Sequence, residues 1–187
     1  MNVFQKVEVL VENQCRSKSN MFGYGIWSHH IVPVVSFAKI LADKLHADAE
    51  VLQLAAFLHD YASIKNRDFH SDHHLHGANE ARIILRDLHY PEDKTEHVAQ
   101  CILAHRGSKR AEHLSLESSC LADADAMAHI AQIPSLLYFA YTQKELEIEE
   151  GAVWVKQKLQ RSWDKLSPGA QLIVGKKYQS ALDTLTC

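Results

Sequence analysis

The sequence contains few cysteines and has no apolar run long enough to cross a membrane. Its four cysteines form no Cys-x-x-Cys pair, which argues against a zinc knuckle or a disulfide framework and is typical of a reducing cytoplasm. The most hydrophobic stretch, residues 31–42, is interrupted by Pro33, Ser36 and Lys39. The first residues also lack the form of a signal peptide. We therefore expect a cytoplasmic protein without a membrane segment.

The chain also lacks an excess of charge of either sign. It has 20 lysines and arginines and 23 aspartates and glutamates, which gives a formal net charge of −3 at pH 7. This balance favours neither a nucleic-acid polymer nor a membrane surface as partner. With 187 residues, of which 47% are hydrophobic, the chain can build one core but is cramped for two. The sequence therefore predicts a single domain over residues 1–187.

Strand-like alternation is scarce, and apolar residues recur instead at helical spacing through almost the whole chain. The predicted fold is all-α, with roughly nine helices of ordinary length. Ser28 is the predicted N-cap of a helix that ends near residue 46, and Asp48 is the predicted N-cap of the next. Residues 61–72 are polar and aperiodic, so we expect a loop there that could cover a site. The helices in residues 131–187 complete the bundle and show no comparable site signal.

Histidine is the residue in excess, with 13 copies that concentrate in the first 130 residues. His59 and Asp60 end an apolar run, where an imidazole and a carboxylate are costly without a partner. A divalent cation is a natural partner, because nitrogen and oxygen donors together suit Zn, Mn, Fe, Ni or Co. His30 shares a helical face with Val34 and Ala38 and is expected to point into the core. Taken alone, His30 is better explained as a core histidine with a polar partner.

Further candidate ligands follow along the chain. His73 lies four residues before Gly77, a position where another helix or a ligand could approach closely. His105 ends a predicted helix. Asp123 and Asp125 interrupt an alanine-rich helix, where uncompensated carboxylates would be costly. Since these two aspartates lie about 200° apart around a helix, we expect at most one of them to face a shared site.

The ordered pattern of His30, His59-Asp60 and Asp125 resembles the HD superfamily of metal-dependent phosphohydrolases, in particular its small bacterial and archaeal members. The similarity spans residues 27–130. It implies an HD-type helical core in which these four side chains hold one divalent cation, with Mn, Zn, Ni, Co, Mg and Fe as candidates. It also implies that Asp60 orients or deprotonates the attacking water.

Two further segments extend the resemblance. Residues 124–127 resemble the Ala-Asp-x-Leu sequence around the last ligand of the family, which favours Asp125 over Asp123. Members with two metals add one histidine in a His-x-x-x-Gly-Ala segment and another in an Ile-x-x-His segment, and His73 and His105 match these positions. The sequence is therefore compatible with a second metal bound at these histidines. In mononuclear relatives, similar histidines can bind substrate instead.

Basic residues follow two of the ligand segments and are candidates for phosphate binding. Arginine contacts phosphate oxygens in pairs, and lysine supplies a point charge. A solvated charged loop is the alternative explanation. Tyr24 and Trp27 could stack a base but are better explained as packing residues. The candidate substrate-binding residues are Lys65, Arg67, Arg106 and Lys109.

The resemblance and the basic residues together predict a metal-dependent phosphohydrolase. We expect it to act on a phosphate monoester or phosphodiester of a small molecule, with a nucleotide as the leading candidate. Two alternatives stay open: an HD-type di-iron oxygenase, since some relatives cleave carbon–carbon or carbon–phosphorus bonds, and a non-catalytic nucleotide-sensing module. We expect no nucleic-acid polymer and no membrane as partner. A homodimer paired through the C-terminal helices is also open.

Overall fold

The computed structural model describes residues 1–106 and 115–185. Within these ranges it contains ten α-helices and no β-strand, which confirms the predicted all-α fold. A π-helical turn, Trp27–Ile31, leads into the second helix, and a 3₁₀ turn, Arg67–Phe69, precedes the fifth. The α-helices are α1 Val3–Cys15, α2 Val32–Leu45, α3 Ala49–Leu58, α4 Tyr61–Lys65, α5 His73–Asp87, α6 Glu92–Ala104, α7 Leu116–Ala131, α8 Ile133–Thr142, α9 Ile148–Lys165 and α10 Pro168–Thr184.

Short polar side chains cap the N-termini of several of these helices. The sequence predicts one of these caps, Asp48. Asp48 accepts hydrogen bonds from the amides of Glu50 and Val51 at the start of α3. Ser115 and Ser167 cap α7 and α10 in the same manner. Each cap provides an acceptor for amides that have no partner within the helix.

Ser28 does not cap a helix, contrary to the prediction. The chain is already helical at this point, because the π-helical turn Trp27–Ile31 runs directly into α2. The Ser28 hydroxyl donates instead to the carbonyl of Gly25 at 3.5 Å. A π-helical turn shifts the register of the side chains that follow it, and such turns are frequent at functional sites. Here the turn contains His30.

The loop predicted for residues 61–72 is also wrong in part, because helix α4 and the 3₁₀ turn lie within it. Helix α4 has only five residues, too few to show a helical period, but its residues 61–64 are all buried. Helix α5 begins at His73, directly after residues 61–72. His73 therefore lies in the first turn of a helix.

Helix α3 lies at the centre of the bundle. It packs against α1, α2, α6 and α7, and seven of its ten residues are buried. Its carboxyl end therefore delivers His59 and Asp60 to the middle of the molecule, where His59 is fully buried. None of the described helices is both long and apolar enough to cross a membrane.

Candidate metal centre

Four side chains from three segments converge beside the end of α3. His30 comes from the π-helical turn, His59 and Asp60 follow α3, and Asp125 lies on α7. The Nε2 atom of His30 lies 3.2 Å from His59 Nε2, 3.1 Å from Asp60 Oδ2 and 3.5 Å from Asp125 Oδ1. The Nε2 atom of His59 lies 3.5 Å from Asp60 Oδ2 and 4.0 Å from Asp125 Oδ1. We call these four residues the first ligand cluster.

A second group of ligand atoms adjoins the first. His73 begins α5 and His105 follows α6, and their Nε2 atoms lie 3.3 Å apart. Asp60 Oδ1 lies 3.6 Å from His73 Nε2, whereas its Oδ2 atom faces the first ligand cluster. We call Asp60, His73 and His105 the second ligand cluster. The single carboxylate of Asp60 thus faces both clusters, one oxygen to each.

The histidine rings are oriented by the backbone. The Nδ1 atoms of His59, His73 and His105 each lie against the carbonyl oxygen three residues earlier, at 2.8, 2.9 and 2.5 Å respectively. A carbonyl only accepts, so each Nδ1 carries the proton and each Nε2 presents its lone pair. Metal-ligating histidines commonly have such a partner on the other nitrogen.

These orientations fit a bound cation at both clusters. The Nε2 lone pairs of His73 and His105 face each other at 3.3 Å, an arrangement that is repulsive unless a positive charge lies between them. Metal–nitrogen bonds of about 2.0–2.1 Å place neighbouring ligand atoms roughly 3.0–3.4 Å apart. Most of the distances given above for the two clusters are close to this range, and the longest is 4.0 Å, between His59 and Asp125. The donor set is one that a divalent transition metal accepts.

Electrostatics favour the metal-binding protonation states of Asp60, Asp125 and His105, whereas at His30 burial is outweighed by the nearby carboxylates, which raise the pKa. Burial opposes ionisation of Asp60, but the neighbouring histidines outweigh it and hold the carboxyl pKa well below its usual value. Burial likewise opposes ionisation of Asp125, whose pKa is nonetheless lowered by His129 and His30. Burial lowers the pKa of His105 to about 4, so its ring is neutral at pH 7.

Gly77 allows α5 to approach the end of α3, as its spacing from His73 indicates. A Cβ atom at Gly77 would lie 3.1 Å from the carbonyl oxygen of His59 and 3.2 Å from Ile102 Cγ2. Both distances are tighter than ordinary contacts. The missing side chain therefore brings His73 close to His59 and Asp60.

Asp123 does not belong to either cluster. Its Oδ1 accepts the Ser167 amide at 2.9 Å, and its Oδ2 accepts the Ser167 hydroxyl at 2.5 Å. The buried carboxylate thus ties α7 to the beginning of α10. The two aspartates of α7 have separate partners, as their angular separation on the helix predicts, and Asp125 is the one in the first ligand cluster.

The sequence interpretation did not include His129, which borders the first ligand cluster. Its Nε2 lies 3.4 Å from Asp125 Oδ1, and its ring stacks on that of His30 with 4.8 Å between centroids. Burial first, and then the charge of Lys158, lowers its pKa well below the usual value. The spacing of four residues from Asp125 on one helix was the signal that could have identified it.

A cavity of about 990 Å³ opens onto both ligand clusters. Two of the candidate substrate-binding residues, Arg67 and Arg106, line it. Arg106 also donates to the backbone carbonyl of Ser71. Lys65 does not line the cavity, because its ammonium is paired with Glu80 at 2.8 Å. Lys109 lies outside the described residues.

The C-terminal helices contribute to the cavity, although the sequence of residues 131–187 shows no comparable site signal. Aromatic rings of Phe22, Phe139 and Trp154 line it, and so do basic residues of α9. Trp27 is buried and stacks on Phe57 with 6.2 Å between centroids, as a packing residue does. Tyr24 is not part of the cavity wall; its hydroxyl donates to the Glu12 carboxylate.

Comparison with known proteins identifies the family. The HD domain matches residues 27–130, more than half of the chain. The chain belongs to the HD domain family. HD domains are typically metal-dependent hydrolases, and the His/Asp clusters of this one could hold a metal. No curated protein matches the chain.

Three solved structures share the fold. YpgQ of Bacillus subtilis superimposes with a TM-score of 0.73 at 16% identity, covering 98% of this chain and 91% of that one. The Lin1889 protein of Listeria innocua gives 0.69 at 19% identity, covering 99% and 94%. A predicted HD superfamily hydrolase from an uncultured Thermotogales bacterium gives 0.60 at 19% identity, covering 97% and 92%. At these identities the likeness shows a common fold.

Proposed function

We propose that this HD protein is a metal-dependent phosphohydrolase that acts on a small-molecule phosphoester, with a nucleotide as the leading substrate. The observation that carries the proposal is the convergence of His30, His59, Asp60 and Asp125 beside a cavity lined by basic residues. His30, Asp60 and Asp125 line this cavity, so a phosphate group that contacts the cluster would also meet basic side chains.

The residues of the first ligand cluster have defined parts in this reaction. A divalent cation that they hold would lower the pKa of a bound water towards neutrality. Asp60, ionised because its pKa is depressed, would orient that water and accept a hydrogen bond from it. Arg67 and Arg106 line the cavity, and their guanidinium groups would contact phosphate oxygens in pairs.

The charge of the cavity wall supports an anionic substrate. Three carboxylates line it, and two of them, Asp60 and Asp125, belong to the ligand clusters. Six basic residues lie around them in the described part of the chain: Arg67, Arg106, Lys144, Lys158, Arg161 and Lys165. The chain as a whole is acidic, with a formal charge of −3. A cationic cavity in an acidic protein attracts anions selectively.

One specific observation favours the alternative of an HD-type di-iron oxygenase. The structure brings the second ligand cluster next to the first through the shared Asp60. A pair of metals is therefore compatible with this geometry. Two irons per chain and substrate-dependent oxygen consumption would support the oxygenase. One or two Mn, Zn, Ni or Co ions without oxygen consumption would support the hydrolase.

The proposal is tested with purified protein on a panel of nucleotides and other phosphoesters, supplied with Mn, Co, Ni or Mg. We expect release of phosphate or a nucleotide product, and loss of that activity in His59→Ala and Asp60→Ala. His76→Ala is the matched control, because this imidazole on α5 does not line the cavity. Activity that persists in both ligand variants would refute the mechanism. Ligand-induced thermal stabilisation without any turnover would indicate a sensing module instead.

A further inference from the structure

One face of α9 forms a wall of the cavity. Trp154, Lys158, Arg161 and Lys165 all line it, and their spacing of four, three and four residues keeps them on one helical face. The neighbouring face of α9, which includes Val155 and Leu159, is buried, and the helix packs against α7 and α8. The helix that borders the ligand clusters is thus fixed in place by its apolar side.

The three cations on this face are not used by the fold. Within the described residues, no carboxylate lies within 4 Å of the charged nitrogens of Lys158, Arg161 or Lys165. Some other basic side chains of the protein are paired, as Arg82 is with Glu96 at 2.7 Å. Cations gathered on one face without counter-charges repel each other. They are therefore available for an anionic ligand.

The cations extend away from the first ligand cluster. Lys158 lies close enough to it for the charge of Asp125 to act on the ammonium group, which is also partly desolvated. At about 1.5 Å per residue, Lys165 lies roughly 10 Å further along the helix axis. One phosphate group needs contacts at one point, whereas cations spread over this length match a chain of phosphates.

An aromatic wall lies at the other end of the same face. Trp154 precedes Lys158 by one helical turn, and Phe139 lies beside it with 5.9 Å between ring centroids. Phe22 stacks in turn on Phe139 at 5.8 Å. All three rings line the cavity. Flat aromatic side chains grouped in this way can stack a planar ring of a ligand.

We infer that α9 is the substrate-recognition helix and that its ligand is a nucleoside diphosphate or triphosphate rather than a monophosphate. Trp154 stacks the base, Lys158 contacts the phosphate at the metal centre, and Arg161 and Lys165 hold the outer phosphates. The inference rests on the proposed function, because it names the substrate class of the same site.

Binding of inorganic phosphates to the metal-loaded protein tests the phosphate part directly. We compare tripolyphosphate and orthophosphate by calorimetry, using the double variant Arg161→Gln/Lys165→Gln. Because charge-assisted hydrogen bonds are strong, we expect tripolyphosphate to bind at least about tenfold more weakly to the variant. Orthophosphate binding should change less than about twofold. Lys156→Gln is the matched control, since Lys156 is exposed and lies about 200° from Lys158 around the helix.

Steady-state kinetics with nucleoside mono-, di- and triphosphates test the preference for a triphosphate and the stacking of the base on Trp154. The double variant should raise KM for the triphosphate more than for the monophosphate. Trp154→Leu should raise KM for nucleoside triphosphates while tripolyphosphate binding stays unchanged, which also shows that this variant is folded.

The two proposals fail in different ways. Wild-type protein that hydrolyses only monophosphates, with α9 variants equal to wild type, would overturn the inference and leave the phosphohydrolase intact. Tripolyphosphate binding that depends on Arg161 and Lys165, without hydrolysis of any phosphoester, would uphold α9 as the binding helix and refute the proposed function. Equal weakening of orthophosphate and tripolyphosphate would also overturn the inference.

Discussion

The two walls of the cavity are built on different physical principles. One side carries the two ligand clusters, and we call it the ligand wall. Here His59, His73 and His105 are fixed by hydrogen bonds from Nδ1 to backbone carbonyls, and His59 and His105 are buried. On the α9 wall, Arg161 and Lys165 are exposed and have no ion-pair partner among the described residues. Coordination of a metal requires lone pairs in fixed directions, whereas attraction between charges tolerates movement of a side chain.

This difference predicts different consequences of substitution. A change in the ligand wall disturbs tightly packed neighbours, so metal affinity and stability are both at risk. A change on the α9 face removes a charge that no neighbour needs, so stability should hardly change. Variants that separate these two outcomes test the comparison.

The largest effect is expected from the two aspartates of α7. Asp125→Asn removes a charged ligand, so we expect metal affinity to fall by at least about 100-fold, and activity with it. Asp123→Asn places an amide donor against the Ser167 donors, so we expect it to lower the free energy of unfolding by about 1–3 kcal/mol and to leave metal affinity unchanged. Metal titration and urea unfolding of both variants measure these quantities. Loss of metal binding in Asp123→Asn alone would reverse the assignment of the two residues.

A smaller effect is expected from filling the contact between α5 and α3. In Gly77→Ala the new methyl group presses on the His59 carbonyl and Ile102, so we expect a loss of about 1–3 kcal/mol in stability and weaker metal binding. Gly169→Ala is the control, because nothing lies within 4 Å of its added Cβ. It should be neutral or stabilising by up to about 1 kcal/mol. Thermal unfolding with and without metal distinguishes the two, and an unperturbed Gly77→Ala would show that α5 can shift without cost.

Part of the ligand wall could be predicted from the sequence because His59-Asp60 end an apolar helix and Asp125 interrupts another. Burying the polar side chains of His59, Asp60 and Asp125 costs free energy unless they share a partner. The order of these residues along the chain also matches one family. The close approach at Gly77 follows from the absence of a side chain. In contrast, the π-helical turn around His30 has no sequence signature, and α4 is too short to show a period.

The α9 wall could not be predicted in the same manner. Lys158, Arg161 and Lys165 recur at a helical spacing that is equally typical of a solvated helix face. Only the fold shows that this face borders a cavity. Proximity in sequence also misleads, because Lys65 and Arg67 are two residues apart but only Arg67 lines the cavity, whereas Lys65 is turned towards Glu80.

The smallest expected effect is on stability, and it is measured by replacing a paired arginine and an unpaired one. Arg82 joins α5 to α6, the helices next to His73 and His105, through two hydrogen bonds to Glu96 at 2.7 and 2.8 Å. Because this pair is partly exposed, Arg82→Gln should cost only about 0.5–1 kcal/mol at pH 7. Arg161→Gln, which breaks no pair, should change stability by less than about 0.5 kcal/mol.

The cost of Arg82→Gln should also depend on pH. Hydrogen bonds, first from Arg82 and then from Gln100, lower the pKa of Glu96 from 4.5 to about 2. A carboxyl group with a lower pKa in the folded state stabilises the fold above its unfolded pKa, and this stabilisation is lost as pH falls through the folded pKa. The difference between wild type and Arg82→Gln should therefore be full above pH 4.5 and shrink towards pH 2. Urea unfolding across this range measures it, and a difference that stays constant on acidification would show that Arg82 stabilises the helix pair by packing rather than by its charge.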